Sequence, residues 1–381
     1  VVFAHEPLLR VQAPIIQGQI LESALLNVIN FQTLIATKAA RICHAAGGDA
    51  VLEFGLRRAQ GIDGALAASR AAYVGGCAAT SNVLAGKLYG IPVRGTHAHS
   101  WIMTFDTELE AFDAYAAAMP NNCVFLVDTY DTLEGVRRAI QVGGRLRARG
   151  HEMVGIRLDS GDLAYLSIEA RRLLDEAGFG QAVIVASNDL DEHIIESLKQ
   201  QGAAIGVWGV GTRLATAYDE PALGGVYKLT AIRDPGGDWQ YKVKLSEQAV
   251  KISTPGRLQV RSYEEHGQFV ADAIYDLNAP PNAGCTVVDP ADMTRRKRVG
   301  PDTPYTDLLE PVFRDGREVR DPPTLDDARG RARDQLNRFH AGIRRLVHPH
   351  QYPVGLEQSL HDLKTRLILE ARSLGPPQTQ G

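Results

Sequence analysis

Val124-Phe125-Leu126-Val127-Asp128, Gly155-Ile156-Arg157-Leu158-Asp159, Ala182-Val183-Ile184-Val185-Ala186-Ser187 and Ala204-Ile205-Gly206-Val207-Trp208-Gly209 are short apolar runs, and helical patterns separate them at Leu133–Val142, Tyr165–Ala177 and Glu192–Gln200. Runs this short with no alternation read as strands buried on both faces. Strands joined by helices make a mostly parallel sheet or barrel, so the chain is α/β. Upstream, Val51–Arg57 and Ile91–Val93 read as further strands, with helices at Gly64–Ala72 and Ser81–Leu88. Leu8–Pro14 reads as a strand before a helix from Gln19 to Ala46. After Gly224 the pattern changes to Val226–Arg233, Trp239–Leu245, Gln259–Tyr263 and Gln268–Tyr275, alternating strands with Gly and Pro turns that predict antiparallel structure. Helices over Thr324–Leu346 and Leu356–Ser373 close the chain, and the tail 375–381 is expected to be disordered.

A chain of 381 residues with 44% hydrophobic content is expected to hold two domains. With 41 basic against 45 acidic residues, the charge balance argues against a general nucleic-acid binder or a polybasic membrane anchor. No uninterrupted apolar run reaches the roughly 18 residues of a membrane span. Cys43, Cys77, Cys123 and Cys285 are scattered along the sequence without a CxxC pair, which predicts a reducing, cytoplasmic setting. The chain starts at Val1 without methionine, and a truncated start is expected.

Polar residues gather at the strand ends, where parallel α/β folds keep their chemistry. They are Arg57 and Arg58; Asp128 and Asp131; Arg157, Asp159, Ser160 and Asp162; Ser187, Asn188, Asp189 and Asp191; and Gly209-Val210-Gly211-Thr212. Each group alone is ordinary turn and helix-cap chemistry. Five in succession suit a polyphosphorylated sugar. Gly209–Thr212 offers backbone N–H groups and a hydroxyl to phosphate, Asp159, Asp162 and Asp189 suit Mg²⁺ or ribose hydroxyls, and the arginines suit a carboxylate or phosphate.

Gly95-Thr96-His97-Ala98-His99-Ser100 lies between the first two of these groups. A neutral imidazole can accept a phosphoryl group, and two histidines at i and i+2 on an extended segment face opposite ways. One of the pair can therefore serve a given site, and spacing alone leaves open which.

The segments EFGLRRAQGIDG (53–64), TSNVLAGKLYGIPVRGTHAHS (80–100), FLVDTYDT (125–132), GIRLDSGDL (155–163), ASNDLDE (186–192), GVGTRL (209–214) and LGGVYKL (223–229) together resemble the nicotinate phosphoribosyltransferase family. The resemblance implies an irregular α/β barrel plus a smaller α/β sandwich domain formed by both chain ends. The division would place 1–48 in the sandwich and a linking helix, 49–222 in the barrel, 223–323 in an antiparallel return to the sandwich, and 324–381 in C-terminal helices and tail. It also implies an enzyme that joins nicotinate to 5-phosphoribosyl-1-diphosphate, with Mg²⁺, and with ATP hydrolysed through a phosphohistidine. In the family's GTxAHS pattern the phosphorylated residue is the second histidine, here His99, and His97 is a bystander. Thr96, Arg157, Arg57 and Ser81 are then expected at nicotinate, and Asp159, Ser160, Asp189, Gly209, Gly211 and Thr212 at the phosphoribosyl diphosphate, with Asp162 as a metal ligand. Relatives that use nicotinamide carry an aspartate where this chain has Ser81, so Ser81 favours the acid. Ser81 is also a candidate N-cap of the helix that follows. The family is expected to form homodimers whose sites share an N-terminal segment unlike the start of this chain. The alternatives are a nicotinamide or quinolinate phosphoribosyltransferase, or an inactive N-terminally truncated binding fragment with apolar surface exposed around Leu8–Ile16.

Overall fold

The computed structural model describes residues 1–247, 252–282 and 284–373. The expected disordered tail, 375–381, lies outside the described residues. Two compact units divide the chain, one of 27–224 with 325–330, the other of 1–26, 225–324 and 331–381.

The N-terminal run is helical earlier than the pattern suggests. Helices α1 (Ile15–Ile20) and α2 (Glu22–Ala46) follow a stretch without strand, so the Leu8–Pro14 expectation is corrected: no strand pairs with it among the described residues. Leu9, Val11, Ile15, Ile16 and Ile20 are exposed. By length and composition Ile15–Ala46 is apolar enough to cross a membrane, although polar residues punctuate it. Its later turns instead bury Leu34, Ile35, Ala39, Ile42 and Ala46 in the main core.

The larger unit holds β1 (Ala50–Glu53), α3 (Gly61–Gly75), β2 (Ala79–Thr80), α4 (Val83–Tyr89), α5 (His99–Ile102), α6 (Glu108–Ala118), β3 (Val124–Leu126), α7 (Thr132–Ala148), β4 (Gly155–Leu158), α8 (Leu163–Glu176), β5 (Val183–Ala186), α9 (Glu192–Gln200), β6 (Val207–Val210) and α10 (Thr212–Ala215). All six strands are parallel, in the order β2-β1-β6-β5-β4-β3. That is the cyclic order of an α/β barrel opened between β2 and β3, where the segment carrying both histidines intervenes. The apolar runs read from sequence supply its core, with Phe125, Ile156, Ile184, Ala186, Trp208 and Val210 almost fully buried. Ile91–Val93 contributes a single bridge, Val93 to Thr80. Cys43 and Cys77, 34 positions apart in sequence, are close enough in the fold to influence each other's titration.

In the smaller unit β7 (Ala231–Ile232) and β8 (Gln240–Tyr241) form a short ribbon, far less than the two strands expected over 226–245. The long hairpin of β9 (Leu258–Glu265) and β10 (Gln268–Asp276) is antiparallel as read. It joins β11 (Cys285–Val288), β12 (Arg296–Val299), β13 (Tyr305–Asp307) and, near the C-terminus, β16 (Val354–Glu357) in the order β12-β11-β16-β10-β9-β13. A second ribbon, β14 (Phe313–Arg314) with β15 (Arg317–Glu318), precedes α11 (Leu325–Arg338), which stops short of the expected Leu346. The last expected helix proves to be two elements, β16 (Val354–Glu357), parallel to β10, and α12 (Gln358–Ser373). Alternation along β9 and β10 gives each sheet face its own cluster: Tyr263, Ala271 and Ala273 on one, Val260 and Ile274 with Leu356 and Leu360 on the other. Helix α12 against this sheet makes the sandwich layer.

Candidate active site

Every strand of the parallel sheet ends at one rim, and the paired polar residues there divide their work. Asp131, Asp162 and Asp191 cap α7, α8 and α9, accepting from Glu134 N (2.8 Å), Tyr165 N (3.1 Å), and both His193 N and Ile194 N (3.0 and 2.8 Å). Each such cap contributes about 1 kcal/mol to its helix. Asp162, expected at a metal, is thus placed as a cap. The aspartates three residues before Asp131 and Asp162 stay free to build a site.

Arg157 lies at its centre. Its Nε donates to Ser187 Oγ (2.8 Å), Nη1 to Thr96 Oγ1 (2.7 Å) and Nη2 to Asp159 Oδ1 (2.8 Å). Ser187 Oγ also donates to Asp159 Oδ1. The guanidinium sits 5.6 Å from the centre of the Phe54 ring. With all three arms of the fork engaged, its plane is fixed before any ligand arrives.

Asp128 links this group to a histidine. Its side chain is 1% exposed and that of His99 38%. Oδ1 lies 3.0 Å from His99 Nε2, while Oδ2 accepts from Asp159 N (2.8 Å) and Ser160 Oγ (2.7 Å). A carboxylate only accepts, so His99 Nε2–H donates to it, and in the neutral ring this leaves the Nδ1 lone pair uncommitted. His99 is the first residue of α5 rather than part of a strand. The segment is not a strand, so alternation does not separate the two histidines; their hydrogen-bond partners do. His97 Nε2 accepts from Leu126 N (3.2 Å), and its ring packs edge-on against Tyr115. Burial pushes its pKa down to about 4, which keeps it neutral and structural.

The rest of the rim is built from close packing. Arg57 and Arg58 lie on a single 3₁₀ turn, Leu56–Arg58, not at a strand end as read, and both are exposed. A Cβ on Gly209 would meet the Phe54 ring at 2.7 Å, and one on Gly211 would lie 3.3 Å from Phe54 O. These glycines therefore let the β6 turn close on Phe54. Asn188 and Asp189 both adopt positive φ (96° and 45°), backbone strain of the kind that collects at functional sites. Ser81 is not the cap of α4; Asn82 is, through Ala85 N at 3.2 Å. The structure thus brings Thr96, His99, Arg157, Asp159 and Ser160 into one bonded network. Arg57, Ser81, Asp189, Gly209, Gly211 and Thr212 stand on the same rim. Asp128 and Ser187 were marked in sequence only as strand-end residues without a role of their own, and Phe54 read as part of a strand. The pairing of Asp128 with Asp131, three residues apart like Asp159 and Asp162, was the available signal.

The model of the nicotinate phosphoribosyltransferase (NAPRTase) family matches residues 50–235, and that of the nicotinate phosphoribosyltransferase C-terminal domain matches 258–364. A nicotinate phosphoribosyltransferase of Bacillus subtilis (strain 168) is 45% identical over 98% of this chain and 76% of its own length. The chain belongs to the nicotinate phosphoribosyltransferase family. Nicotinate phosphoribosyltransferase 2 of Arabidopsis thaliana is 37% identical, covering 99% of this chain and 78% of that protein. The crystal structure of human nicotinic acid phosphoribosyltransferase superposes with a TM-score of 0.78 at 30% identity, over 93% of this chain and 78% of that one. A nicotinate-nucleotide pyrophosphorylase from Pyrococcus furiosus shares the fold, with TM-score 0.61 and 23% identity over 84% of this chain and 73% of that one. The family is one of enzymes, and its activity, nicotinate phosphoribosyl transfer in NAD biosynthesis, defines this chain's class of function.

Proposed function

We propose that this chain joins nicotinate to 5-phosphoribosyl-1-diphosphate, giving nicotinate mononucleotide and diphosphate, and couples the transfer to ATP through a phosphorylated His99. The observation that carries the coupling is Asp128, one carboxylate shared between His99 and the Asp159–Ser160 turn. A phosphoryl group on His99 would be felt directly at the sugar's contacts.

Phe54 offers a ring face, and Arg157 with Thr96 a rigid polar edge, to a pyridine. Arg57 and Ser81 suit its carboxylate, and Ser81 brings no charge to repel it. The pyridine nitrogen attacks C1 of the ribose as the bond from C1 to the diphosphate oxygen breaks; the electron pair leaves with diphosphate, and no proton need move. The protein's work is alignment and stabilisation of positive charge at C1. Asp159 and Asp189 suit the ribose hydroxyls, with Ser160 beside them, and Gly209, Gly211 and Thr212 suit the 5-phosphate.

Among the described residues no group of three or more His, Cys, Asp or Glu is arranged to hold a metal. That fits Mg²⁺, which is commonly held by one or two carboxylates plus substrate phosphates. Asp159 is the carboxylate we propose for it, because its bonds to Arg157 and Ser187 both use Oδ1. When bound, Mg²⁺ would neutralise charge on the departing diphosphate. In the ATP half, His99 Nδ1 attacks the γ-phosphorus as the bond to the ADP oxygen breaks. Water later cleaves the phosphohistidine. We further propose a cytoplasmic enzyme, consistent with its four free cysteines, and a homodimer by analogy with the family.

The test is product formation from nicotinate, phosphoribosyl diphosphate and Mg²⁺, with and without ATP. Labelling by γ-phosphate-labelled ATP should be lost in His99→Ala and kept in His97→Ala. Labelling that survives in His99→Ala refutes the assignment, and a preference for nicotinamide or quinolinate refutes the substrate.

A further inference from the structure

Glu53, at the end of β1, is 2% exposed, and no Lys or Arg pairs with it among the described residues. Neutral donors hold it instead. Oε1 accepts the Gly55 N–H; Oε2 accepts the hydroxyls of Ser69 (3.0 Å) and Thr80 (2.6 Å). The network continues into the next turn. Thr80 Oγ1 accepts from Asn82 N (3.0 Å), Asn82 Nδ2 donates to Ser69 Oγ (3.3 Å), and Ser81 N donates to the Glu53 carbonyl (2.9 Å). Ser69, Thr80 and Asn82 are each at most 3% exposed.

Two walls of the acceptor pocket hang on this carboxylate. The Gly55 N–H fixes the turn bearing Phe54 and Arg57, and Gly55 has no slack, since a Cβ there would lie 2.3 Å from that of Ala215. Ser81 is clamped between Thr80 and Asn82, both tied to the same network, and its own N–H is held by Glu53. Stability alone does not explain such a group. A buried carboxylate with no cation costs more than an apolar side chain of the same volume, and retained buried polar groups are best attested as devices that fix geometry.

We infer that Glu53, through Ser69, Thr80 and Asn82, is a positioning residue that sets the acceptor pocket and its choice of acid over amide. The inference rests on the nicotinate reading above. It predicts that weakening the network damages nicotinate recognition first, because the contacts proposed for the phosphoribosyl diphosphate lie at or just past the ends of β4, β5 and β6 and make none of the hydrogen bonds to the Glu53 carboxylate.

The sharpest test compares Thr80→Val with Thr80→Ser. Valine keeps the shape and loses the hydroxyl; serine keeps the hydroxyl and loses a methyl. In the full chain, Thr80→Val should raise KM for nicotinate about tenfold, the effect of one lost hydrogen bond to a charged group, and lower the nicotinate-to-nicotinamide ratio of kcat/KM. KM for phosphoribosyl diphosphate should stay within about twofold. Thr80→Ser should restore nicotinate KM, and Glu53→Gln, whose amide accepts at one oxygen and turns an NH₂ toward the other donors, should resemble Thr80→Val. Equal losses in the two Thr80 variants, or parallel rises in both KM values, overturn the inference. If the unaltered chain makes no nicotinate mononucleotide, the reading of its function fails. Equilibrium dialysis of labelled nicotinate with phosphoribosyl diphosphate then decides the network: weaker binding in Thr80→Val than in Thr80→Ser supports it, and equal or absent binding refutes it.

Discussion

Replacing Asp128 by asparagine changes one atom of the side chain and should disable the ATP half of the cycle. The aspartate receives three donors: His99 Nε2–H at 3.0 Å, Asp159 N–H at 2.8 Å and Ser160 O–H at 2.7 Å. An amide accepts only at its oxygen. Turning that oxygen to Asp159 and Ser160 preserves two bonds and presents the NH₂ to His99 Nε2. The ring must then place its proton on Nδ1, the atom proposed to attack ATP, and the nucleophilic lone pair is gone. In the serine-protease triad the corresponding asparagine substitution lowers kcat about 10⁴-fold through the wrong tautomer. Here Asp128→Asn should slow labelling of His99 by at least about 10²-fold, while ATP-independent transfer falls much less. The assay is single-turnover labelling with γ-phosphate-labelled ATP, alongside product formation without ATP and thermal melting to confirm the fold. Labelling within about threefold of the unaltered rate would show that Asp128 does not set the tautomer.

Other outcomes follow from individual contacts. His97, held near pKa 4 by burial, has a folded value below its ordinary one, so its contribution to stability is present above about pH 6.5 and lost as the pH falls toward 4. That is at most about 3 kcal/mol at 1.36 kcal/mol per unit. An NMR titration of the ring should show no midpoint above about pH 5, and a midpoint at 6 or higher refutes the buried, neutral assignment. Gly209→Ala puts a Cβ at 2.7 Å from the Phe54 ring, an overpacking cost of about 1–3 kcal/mol that should appear as a lower melting temperature and a higher KM for nicotinate. An unchanged KM would mean that the Phe54 face is not used.

Legibility in the sequence depended on how local each feature's cause was. Strands β3 to β6 were plain because they are mostly buried, which demands apolar runs of about their own length. Leu8–Pro14 also reads as an apolar run but finds no partner strand, and the second half of Val354–Glu357 was read into the helix that follows because four residues carry little periodicity. At the rim, sequence marked the right turns but could not separate Asp159 from Asp162, or Asp128 from Asp131. All are aspartates at strand-to-helix joints. Distance to the next helix's first amides makes one a cap, and distance to a residue about 30 positions away makes the other a site group.

By itself the sequence determined the α/β class, the family and the rim on which the chemistry lies, because apolar periodicity and ordered motifs are properties of the chain. Only the tertiary structure decided which histidine nitrogen is free, that Arg157 is locked by Thr96 and Ser187, and that Glu53 ties Phe54 to Ser81. Those facts are hydrogen-bond geometries between segments remote in sequence. A donor and an acceptor acquire meaning only when folding sets them at about 3 Å with no water between.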